Sequence, residues 1–313
     1  MDEPSTCKIK ITEYAKVCPN ANEQSIEKKL VIDVGAKENF GLNDVLNRIM
    51  QGDCIEGMKK LPSEIADMVF IDPPYFLQLQ NKRLFRWKDH TEVNGVNDAW
   101  DKFKSFEQYD SFLKNVLTEV KRIMKPEATV WITGTYHNIH RIGKIMLDMG
   151  FWILNDVIWF KKNPMPNWLR VRFTNATETL IWAVKNGNVK WYTFNEHLAR
   201  KFSLEFTENF RPVPEEEKIG TNIWYLPLCT GEERLRDEKG KKIHSTQKPE
   251  GLLERVILTS TKSGDLVFDP MAGTGTTGYV ASKLDRNFIM IEKEKKYIEA
   301  AESRFVKLWP RAE

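Results

Sequence analysis

The stretch Met68-Val69-Phe70-Ile71-Asp72-Pro73-Pro74-Tyr75 joins a short apolar run to two consecutive prolines. The run predicts a buried strand that ends at Asp72. Proline has no backbone N–H and biases the preceding residue away from helix, so the chain must leave the sheet in a stiff, extended turn. Open α/β sheets bind ligands at the carboxyl ends of their strands. The Asp72–Tyr75 turn therefore predicts a pocket with a carboxylate, a carbonyl and an aromatic ring in fixed positions.

These residue types suit a flat ring that carries an amino group. Such a nitrogen is a poor nucleophile because its lone pair is delocalised into the ring, and hydrogen-bond acceptors make that lone pair more available. Asp72 and the Pro73 carbonyl would be the acceptors, and Tyr75 would stack on the ring, a contact worth about 1–3 kcal/mol in single-strand recognition. The turn predicts methyl transfer to an exocyclic amine, with Asp72, Pro73, Pro74 and Tyr75 as catalytic residues. The alternative is a proline turn that only exposes an aromatic side chain.

The composition is that of an ordinary globular chain. Its 313 residues allow one large domain or two, and 41% of them are hydrophobic, enough for a substantial core. A net charge of +3, from 47 basic and 44 acidic residues, permits a nucleic-acid partner without requiring one. We expect a cytoplasmic protein with no bound metal and no membrane contact, because the sequence has no signal peptide or membrane-length apolar run and its cysteines lack metal-binding spacing. The cysteines are Cys7, Cys18, Cys54 and Cys229.

A second motif, Asp269-Pro270-Met271-Ala272-Gly273-Thr274-Gly275-Thr276-Thr277-Gly278, follows the apolar strand Leu266-Val267-Phe268 and opens a predicted helix. Its glycines let the backbone approach a ligand closely, and the helix N-terminus offers unpaired N–H groups. The next predicted strand, Phe288–Ile291, ends at Glu292, which is placed to accept hydrogen bonds from ribose hydroxyls. The motif predicts a cofactor site for a nucleoside.

Gly273, Gly275 and Gly278 also satisfy the dinucleotide fingerprint G-x-G-x-x-G, and Glu292 lies close to its expected spacing of about 20 residues. A nicotinamide dehydrogenase is therefore an alternative for this motif alone. However, the roughly twenty residues after Glu292 are too few for the second half of a dinucleotide fold. A dehydrogenase also leaves the Asp72–Tyr75 turn without a role. A cofactor with one nucleoside and a charged amino-acid tail fits better.

The remaining periodicity predicts alternating strands and helices, and hence an α/β fold with a mostly parallel sheet. Helical spacing marks Phe106–Met124, and apolar runs mark strands at Ile49–Cys54 and Thr129–Thr133. Two further predicted strands, Phe151–Phe160 and Glu178–Lys185, are separated by a loop and not by a helix. A strand pair of this kind indicates an antiparallel edge of the sheet.

Residues 1–45 are polar apart from Leu30-Val31-Ile32, which has no clear partner. We interpret them as an N-terminal extension to a catalytic domain at 46–313, with an irregular target-recognition insertion at 188–242. The loops Phe76–Asp98 and Lys161–Arg172 mix basic and aromatic residues, which suits a nucleic-acid backbone. For the first loop, a solvated surface loop is an equal alternative. The candidate DNA contacts are Lys82, Arg83, Arg86, Lys161, Lys162, Arg170 and Arg172.

The order of the two motifs, with the Asp72–Tyr75 turn first, resembles the β group of amino-directed DNA methyltransferases. The resemblance covers roughly residues 46 to 305 and is strongest to the cell-cycle-regulated and Hinf-type adenine methyltransferases, which modify GANTC. It extends to shorter blocks: Gly52-Asp53-Cys54, Trp100-Asp101, Tyr109-Asp110, Tyr136-His137-Asn138-Ile139, Gly150-Phe151-Trp152, Asn163–Asn167, Arg172–Thr179 and His244-Ser245-Thr246-Gln247-Lys248-Pro249.

The resemblance implies a circularly rearranged, Rossmann-like S-adenosylmethionine-dependent methyltransferase fold and site-specific adenine-N6 methylation of double-stranded DNA, within GANTC. The adenine would be flipped into the Asp72–Tyr75 pocket at a cost of a few kcal/mol and methylated directly. Glu292 would hold the cofactor ribose, Asp53 would lie near its adenine, and Lys248 would pair with its carboxylate. The implied cofactor residues are Asp53, Cys54, Asp72, His244, Thr246, Gln247, Lys248, Phe268, Asp269, Pro270, Ala272, Gly273, Thr274, Gly275, Thr276, Thr277 and Glu292.

Three other functions stay open, of which a small-molecule or RNA methyltransferase is the minor one. Cytosine-N4 methylation follows the same pocket logic, although Asp72 rather than serine before the proline pair favours adenine by analogy. A catalytically silent DNA-binding subunit is the rival from another class. The sequence leaves open whether the protein works alone, as a homodimer or with a cognate restriction endonuclease as partner. The GANTC relatives continue past the position of Glu313 into a DNA-binding segment, so recognition here is expected to come from residues 76–98, 161–172 and 188–242.

Overall fold

The structure is a computed structural model that describes residues 29–77, 84–85, 92–93, 99–166, 171–205 and 211–308. The strands are β1 (Val31–Asp33), β2 (Arg48–Gln51), β3 (Ala66–Ile71), β4 (Leu84–Phe85), β5 (Glu92–Val93), β6 (Met124–Gly134), β7 (Trp152–Lys161), β8 (Thr177–Val184), β9 (Ile223–Leu226), β10 (Leu266–Asp269) and β11 (Asn287–Glu292). The helices are α1 (Leu42–Val45), α2 (Cys54–Lys59), α3 (Phe106–Ile123), α4 (Ile139–Asp148), α5 (Glu196–Phe202), α6 (Glu250–Ser260), α7 (Thr276–Lys283) and α8 (Lys295–Leu308).

Nine strands form one sheet in the order β1-β2-β11-β10-β3-β6-β8-β7-β9, and β4 pairs with β5 separately. Only β8 runs against the other strands of this sheet, because it is antiparallel to both β6 and β7 while β7 and β9 are parallel. The predicted α/β fold with an antiparallel strand is confirmed. The prediction that this strand lies at the edge is wrong, because β9 from the 188–242 segment adds beyond β7.

The central strand β3 contributes side chains to two separate cores. Val69 and Ile71 pack in the core beneath α3 and α4, whereas Met68 and Phe70 pack on the opposite face against the layer of α6, α7 and α8. A parallel strand covered on both faces has no polar side to alternate with. This explains why the sequence before Asp72 is continuously apolar.

Local signals set the limits of α3. The Ser105 hydroxyl accepts a hydrogen bond from the Gln108 N–H at 3.3 Å, and the Gln108 side chain accepts one from the Lys104 N–H at 2.7 Å. These bonds satisfy amide groups that a helix start leaves unpaired. The helix ends at Ile123, ahead of Pro126, close to the predicted limit.

Residues 31–33 belong to the sheet, since β1 pairs in parallel with β2. The buried Val34 follows, and the Lys60 ammonium donates to the carbonyl groups of Val34 at 2.8 Å and Lys37 at 3.0 Å. The partner that the stretch Leu30-Val31-Ile32 lacked in the sequence is therefore β2. The division of the chain into an extension and a catalytic domain stays a prediction.

Five parallel strands, β2, β3, β6, β10 and β11, end at the same edge of the sheet. Four of these ends carry an acidic residue: Asp53, Asp72, Asp269 and Glu292. Because β8 runs in the opposite direction, it begins at this edge and brings Glu178 there.

Candidate active site

A cavity of about 320 Å³ opens at the carboxyl edge of the sheet. Its walls include the Asp72–Tyr75 turn, the glycine-rich turn at 269–275 (the Gly273 turn) and residues 244–248. The volume lies at the lower end of the range of about 300–1,000 Å³ that is usual for small-molecule sites. The two motifs that the sequence singled out thus face one cavity.

The Asp72 carboxylate is held by two donors. Oδ1 accepts a hydrogen bond from the Thr133 hydroxyl at 2.6 Å, and Oδ2 accepts one from the Lys248 ammonium at 2.7 Å. Thr133 lies in β6, the neighbour of β3, while Lys248 comes from the segment just before α6. The resemblance implies that Lys248 pairs with the cofactor carboxylate, but here its partner is Asp72.

The backbone of the Asp72–Tyr75 turn is fixed from both sides. The Tyr109 hydroxyl donates to the Pro74 carbonyl at 2.7 Å, and the Asn138 amide donates to the Tyr109 oxygen at 3.0 Å. The Asp101 carboxylate accepts from the backbone N–H groups of Phe76 and the following residue, at 2.7 and 3.0 Å. Phe76 has φ +48°, a costly left-handed conformation for a non-glycine residue. The Asp101 bonds supply the support that this conformation needs.

Tyr75 is buried, and its hydroxyl reaches away from solvent. It donates to Glu178 Oε2 at 3.0 Å and lies 3.3 Å from the Thr133 hydroxyl. Burial raises the pKa of the Tyr75 phenol well above its usual value, and the nearby charges of Asp72 and Glu178 raise it further. The phenol therefore stays protonated at neutral pH. The Lys248 ammonium lies 5.1 Å from the centre of the Tyr75 ring.

Asp269, the first residue of the Gly273 turn, holds the turn with its side chain. Asp269 Oδ1 accepts from the Met271 N–H at 2.9 Å, and Oδ2 accepts from the Thr277 hydroxyl at 2.6 Å. Gly273 and Gly275 have φ values of +53° and +70°, which favour glycine. Burial raises the pKa of Asp269 to about 7, and the charges of two nearby carboxylates add to the increase.

Glu292 connects the end of β11 to the Gly273 turn. Oε2 accepts from the Gly273 N–H at 2.7 Å, and Oε1 accepts from the N–H groups of Lys293 and Glu294 at 2.8 Å each. Burial raises the pKa of Glu292, although these hydrogen bonds act in the opposite direction. Since each carboxylate oxygen offers about two acceptor positions, Oε2 can accept a further bond from a ligand.

Three aromatic side chains form one wall of the cavity, and only one of them, His244, is among the predicted cofactor residues. Trp100 stacks on His244 with ring centres 5.7 Å apart and planes 16° from parallel. Tyr297 also contacts His244, at 4.4 Å between ring centres. The Trp100 indole donates to the Tyr297 hydroxyl at 3.4 Å. An aromatic wall beside the Glu292 carboxylate fits a nucleoside.

Most of the predicted cofactor residues line the cavity. Two do not: Phe268 is buried in the core, and Gly275 packs against Ala301 instead. Those that line it are Asp53, Cys54, Asp72, His244, Thr246, Gln247, Lys248, Asp269, Pro270, Ala272, Gly273, Thr274, Thr276, Thr277 and Glu292. The four predicted catalytic residues, Asp72, Pro73, Pro74 and Tyr75, line it as well.

Two of these residues, Asp53 and Gln247, also have local structural roles. Asp53 caps α2, because its Oδ1 accepts from the first amides of the helix at 3.0 and 3.3 Å. Gln247 accepts from the Leu235 N–H at 3.0 Å and donates to the Glu233 carbonyl at 2.8 Å, so it ties the 188–242 segment to the site. Burial raises the pKa of the Cys54 thiol to about 12, which keeps it protonated.

The predicted DNA contacts divide into three groups. Lys161 is buried and its ammonium lies 3.0 Å from Glu178 Oε1, so the prediction that it contacts a phosphate is wrong. Lys162 and Arg172 are exposed, and the Arg172 guanidinium donates to the Tyr136 hydroxyl. Lys82, Arg83, Arg86 and Arg170 lie outside the described residues.

Among the described residues, no group of three or more His, Cys, Asp or Glu side chains is arranged to hold a metal ion. None of the helices in these parts of the chain combines the length and apolar character needed to cross a membrane.

Residues 66–303 match a family described as DNA methylase, with N6 and N4 in its name. The chain is 50% identical to the Type II methyltransferase M.HinfI of Haemophilus influenzae over 274 residues, 88% of this chain and 72% of M.HinfI. It is 38% identical to the Type II methyltransferase M2.DpnII of Streptococcus pneumoniae over 260 residues, 82% of this chain and 88% of that protein. The crystal structure of the M1.HpyAVI–SAM complex superposes with a TM-score of 0.55 at 26% identity, covering 82% of this chain and 98% of M1.HpyAVI.

Proposed function

This chain belongs to the N6/N4 DNA methylase family, and from that premise we propose that it methylates N6 of an adenine flipped out of duplex DNA. The observation that carries the proposal is that the Asp72–Tyr75 turn and the Gly273 turn share one cavity. The Asp72–Tyr75 turn supplies a hydrogen-bond acceptor for an amino group. The Gly273 turn forms part of a binding site for a nucleoside. The base and the methyl donor can therefore meet in the same space.

The methyl donor is S-adenosylmethionine, which supplies a methyl group on a positively charged sulfur. We assign its ribose to Glu292, whose Oε2 already accepts the Gly273 N–H at 2.7 Å. The wall of Trp100, His244 and Tyr297 offers aromatic surface for the rest of the nucleoside. We assign the amino-acid tail to the Lys248 ammonium, which the tail would share with Asp72.

In the proposed reaction, Asp72 accepts a hydrogen bond from the N6 amino group and so makes the nitrogen lone pair more available. The bond from nitrogen to the methyl carbon forms as the carbon–sulfur bond breaks, and the bonding pair returns to sulfur. The nitrogen gives one proton to the Asp72 carboxylate, which passes it on to solvent. Tyr75 stacks on the base, and the fixed turn holds the nitrogen in line with the methyl group. Most of the rate acceleration then comes from positioning.

Cytosine-N4 methylation is the second candidate in chemistry, because the same acceptors serve any exocyclic amine. Asp72, where a serine would precede the proline pair in the cytosine enzymes, favours adenine by analogy. A silent DNA-binding subunit is disfavoured, because Glu292, the Gly273 turn and Asp72 all face the cavity. We further propose GANTC as the target sequence, from the resemblance.

The partners follow from the same premise. Double-stranded DNA is the substrate of this family. The Type II names of the two relatives support a cognate endonuclease for this chain. A homodimer and a cytoplasmic location stay predictions from the sequence.

The experiment that tests the proposed function is product identification. The chain is incubated with methyl-labelled S-adenosylmethionine and mixed-sequence duplex DNA, and the DNA is digested to nucleosides for mass spectrometry. We expect label in N6-methyladenine. Label in N4-methylcytosine would keep the mechanism but change the base, and absence of label despite cofactor binding would overturn the proposal. Duplexes with and without a single GANTC site then test the target sequence.

A further inference from the structure

A buried carboxylate lies directly behind the Asp72–Tyr75 turn. Glu178, at the start of β8, has a side chain only 11% exposed and does not line the cavity. Its Oε1 pairs with the Lys161 ammonium at 3.0 Å, and its Oε2 lies 3.9 Å from the Lys248 ammonium. Asp72 and Glu178 thus share Lys248, and the two carboxylates and two lysines form a neutral cluster.

The Tyr75 hydroxyl is inserted into this cluster. Two oxygens lie within its reach, Glu178 Oε2 at 3.0 Å and the Thr133 hydroxyl at 3.3 Å. Thr133 uses its own hydrogen for Asp72, at 2.6 Å. The phenol hydrogen goes to the charged oxygen at the shorter distance, because hydrogen bonds to an ionised acceptor are the stronger ones. Glu178 is therefore the acceptor that sets the position of the phenol.

Stability alone does not explain the cluster. Replacing buried ion pairs with apolar side chains of similar size is often neutral or stabilising. A phenylalanine at position 75 beside an apolar residue at 178 would fill the same space. What the polar arrangement adds is a defined orientation: a ring held at its hydroxyl by an anchored carboxylate cannot tilt freely at its cavity end.

We propose that Glu178 is a positioning residue for methyl transfer. It holds the Tyr75 hydroxyl so that the aromatic ring stacks on the target base at a fixed position and angle. Lys161 in turn holds Glu178 in place. The inference rests on the proposed function, because the flipped base is what the ring positions. The base, the amine acceptor and the methyl group are then aligned by one connected set of side chains.

The substitution Glu178→Gln tests this role with little change in volume. A carboxylate accepts from Tyr75 and Lys161 at the same time, whereas an amide has one oxygen and one NH₂ group. The glutamine therefore satisfies only one of the two partners. Tyr75→Phe removes the same hydrogen bond from the other end and keeps the pair of Glu178 with Lys161. Glu127→Gln is the matched control, because Glu127 is exposed near the opposite end of β6.

The experiment measures single-turnover methyl transfer to unmethylated duplex DNA, together with S-adenosylmethionine affinity by calorimetry. Wild type, Glu178→Gln, Tyr75→Phe and the double variant are compared. We expect each single variant to slow transfer by about 10- to 100-fold, the size expected for a hydrogen bond to a charged group. Cofactor affinity should change by less than about threefold in Tyr75→Phe, which leaves Lys248 and its pair with Asp72 in place. Glu178→Gln removes a charge 3.9 Å from Lys248, so its effect on cofactor affinity should be larger but stay well below its effect on the transfer rate. Glu127→Gln should match wild type.

The double variant decides whether the two residues act together. We expect Glu178→Gln to slow transfer far less in the Tyr75→Phe background than in wild type. The same fold loss in both backgrounds would overturn the inference, as would a Glu178→Gln enzyme of wild-type rate. If Glu178→Gln does not fold, a wild-type rate for Tyr75→Phe alone would overturn it.

The same four proteins are also compared in a double-mutant cycle of stability, measured by urea unfolding without DNA. Coupling between the two substitutions in stability but not in transfer rate would mean that the contact is structural only, which contradicts the positioning role. If wild type itself transfers no methyl group to DNA, the proposed function fails, and this result is distinct from a loss confined to the variants.

Discussion

Gly275 combines a left-handed backbone with a neighbour that leaves no room for a side chain. Its φ is +70°, and a Cβ atom there would lie 2.7 Å from the Cβ of Ala301 in α8. Gly240 has nearly the same φ, +72°, but nothing within 4 Å of an added Cβ. The two positions separate backbone strain from steric conflict.

We predict that Gly275→Ala lowers the free energy of unfolding by at least about 1 kcal/mol more than Gly240→Ala, whose cost is the backbone strain alone, about 1–2 kcal/mol. Urea unfolding of both variants measures the difference. Equal losses would mean that α8 gives way without cost and that Gly275 is not needed for this close approach.

Asp269 predicts a dependence of stability on pH. Burial raises its pKa from 3.8 to about 7 in the folded chain. The folded state therefore binds the proton more tightly than the unfolded state, and the stability that Asp269 contributes is complete below about pH 4 and is lost as the pH rises through 7. Asp269→Asn removes this titration.

We predict that, between pH 5 and pH 8, the unfolding free energy of Asp269→Asn improves relative to wild type by on the order of 2 kcal/mol. Urea unfolding at several pH values gives both curves. Parallel curves would show that Asp269 does not titrate in this range.

The residues of the site differ in how far the sequence reveals them. Asp72 follows an apolar strand and Glu292 ends one. The local sequence pattern alone therefore predicts that both lie at the carboxyl edge of the sheet. From the sequence, Glu178 is only the first residue of a predicted strand, because its place at this edge depends on β8 running antiparallel inside the sheet. The sequence predicts Lys161 as a surface cation that contacts DNA, because its partner Glu178 is distant from it along the chain. Buried ion pairs of this kind are set by tertiary contacts that periodicity does not encode.

At the scale of elements, prediction succeeded where the signal is local. The helix predicted at Phe106–Met124 is α3, Phe106–Ile123, because its apolar residues recur at helical spacing. It failed where a strand is defined by its partner. Strands β1 and β9 are short and lie at the two edges of the sheet. Each is a strand only because it pairs with a neighbour, β1 with β2 and β9 with β7.

Strand β1 can be tested by truncation. We compare a chain that starts at Lys29 with one that starts at Lys37, which lacks β1 and the buried Val34. The shorter chain should lose at least about 2 kcal/mol of unfolding free energy, since burying one valine contributes about 1.5–3 kcal/mol before the strand pairing is counted. The first truncation serves as the control for loss of the residues before position 29. Equal stability of the two chains would show that β1 is dispensable.

At the scale of the whole molecule, the net charge of +3 is small, so DNA affinity must depend on where the cations lie. The exposed Lys162 follows β7 at the carboxyl edge, on the side of the site. We predict that duplex affinity falls steeply with salt and that Lys162→Ala reduces the slope of log affinity against log salt by about 1.

Lys114→Ala is the matched control for this measurement, because Lys114 is exposed on α3. Its slope should equal that of wild type in fluorescence-anisotropy titrations across salt concentrations. A flat response in wild type would argue against DNA as the substrate, and equal slopes for all three proteins would remove Lys162 from the interface.

We place methyl transfer at Asp72, in the cavity shared by the two motifs. The direct measurement is single-turnover transfer by Asp72→Ala, with Asp72→Asn as the variant that keeps the volume beside the buried Lys248, and with S-adenosylmethionine binding measured on the same samples. Transfer should fall by at least about 100-fold in Asp72→Ala, the usual loss when a group that stabilises the transition state is removed, while cofactor binding persists. Wild-type turnover by Asp72→Ala would contradict the account and move the chemistry elsewhere.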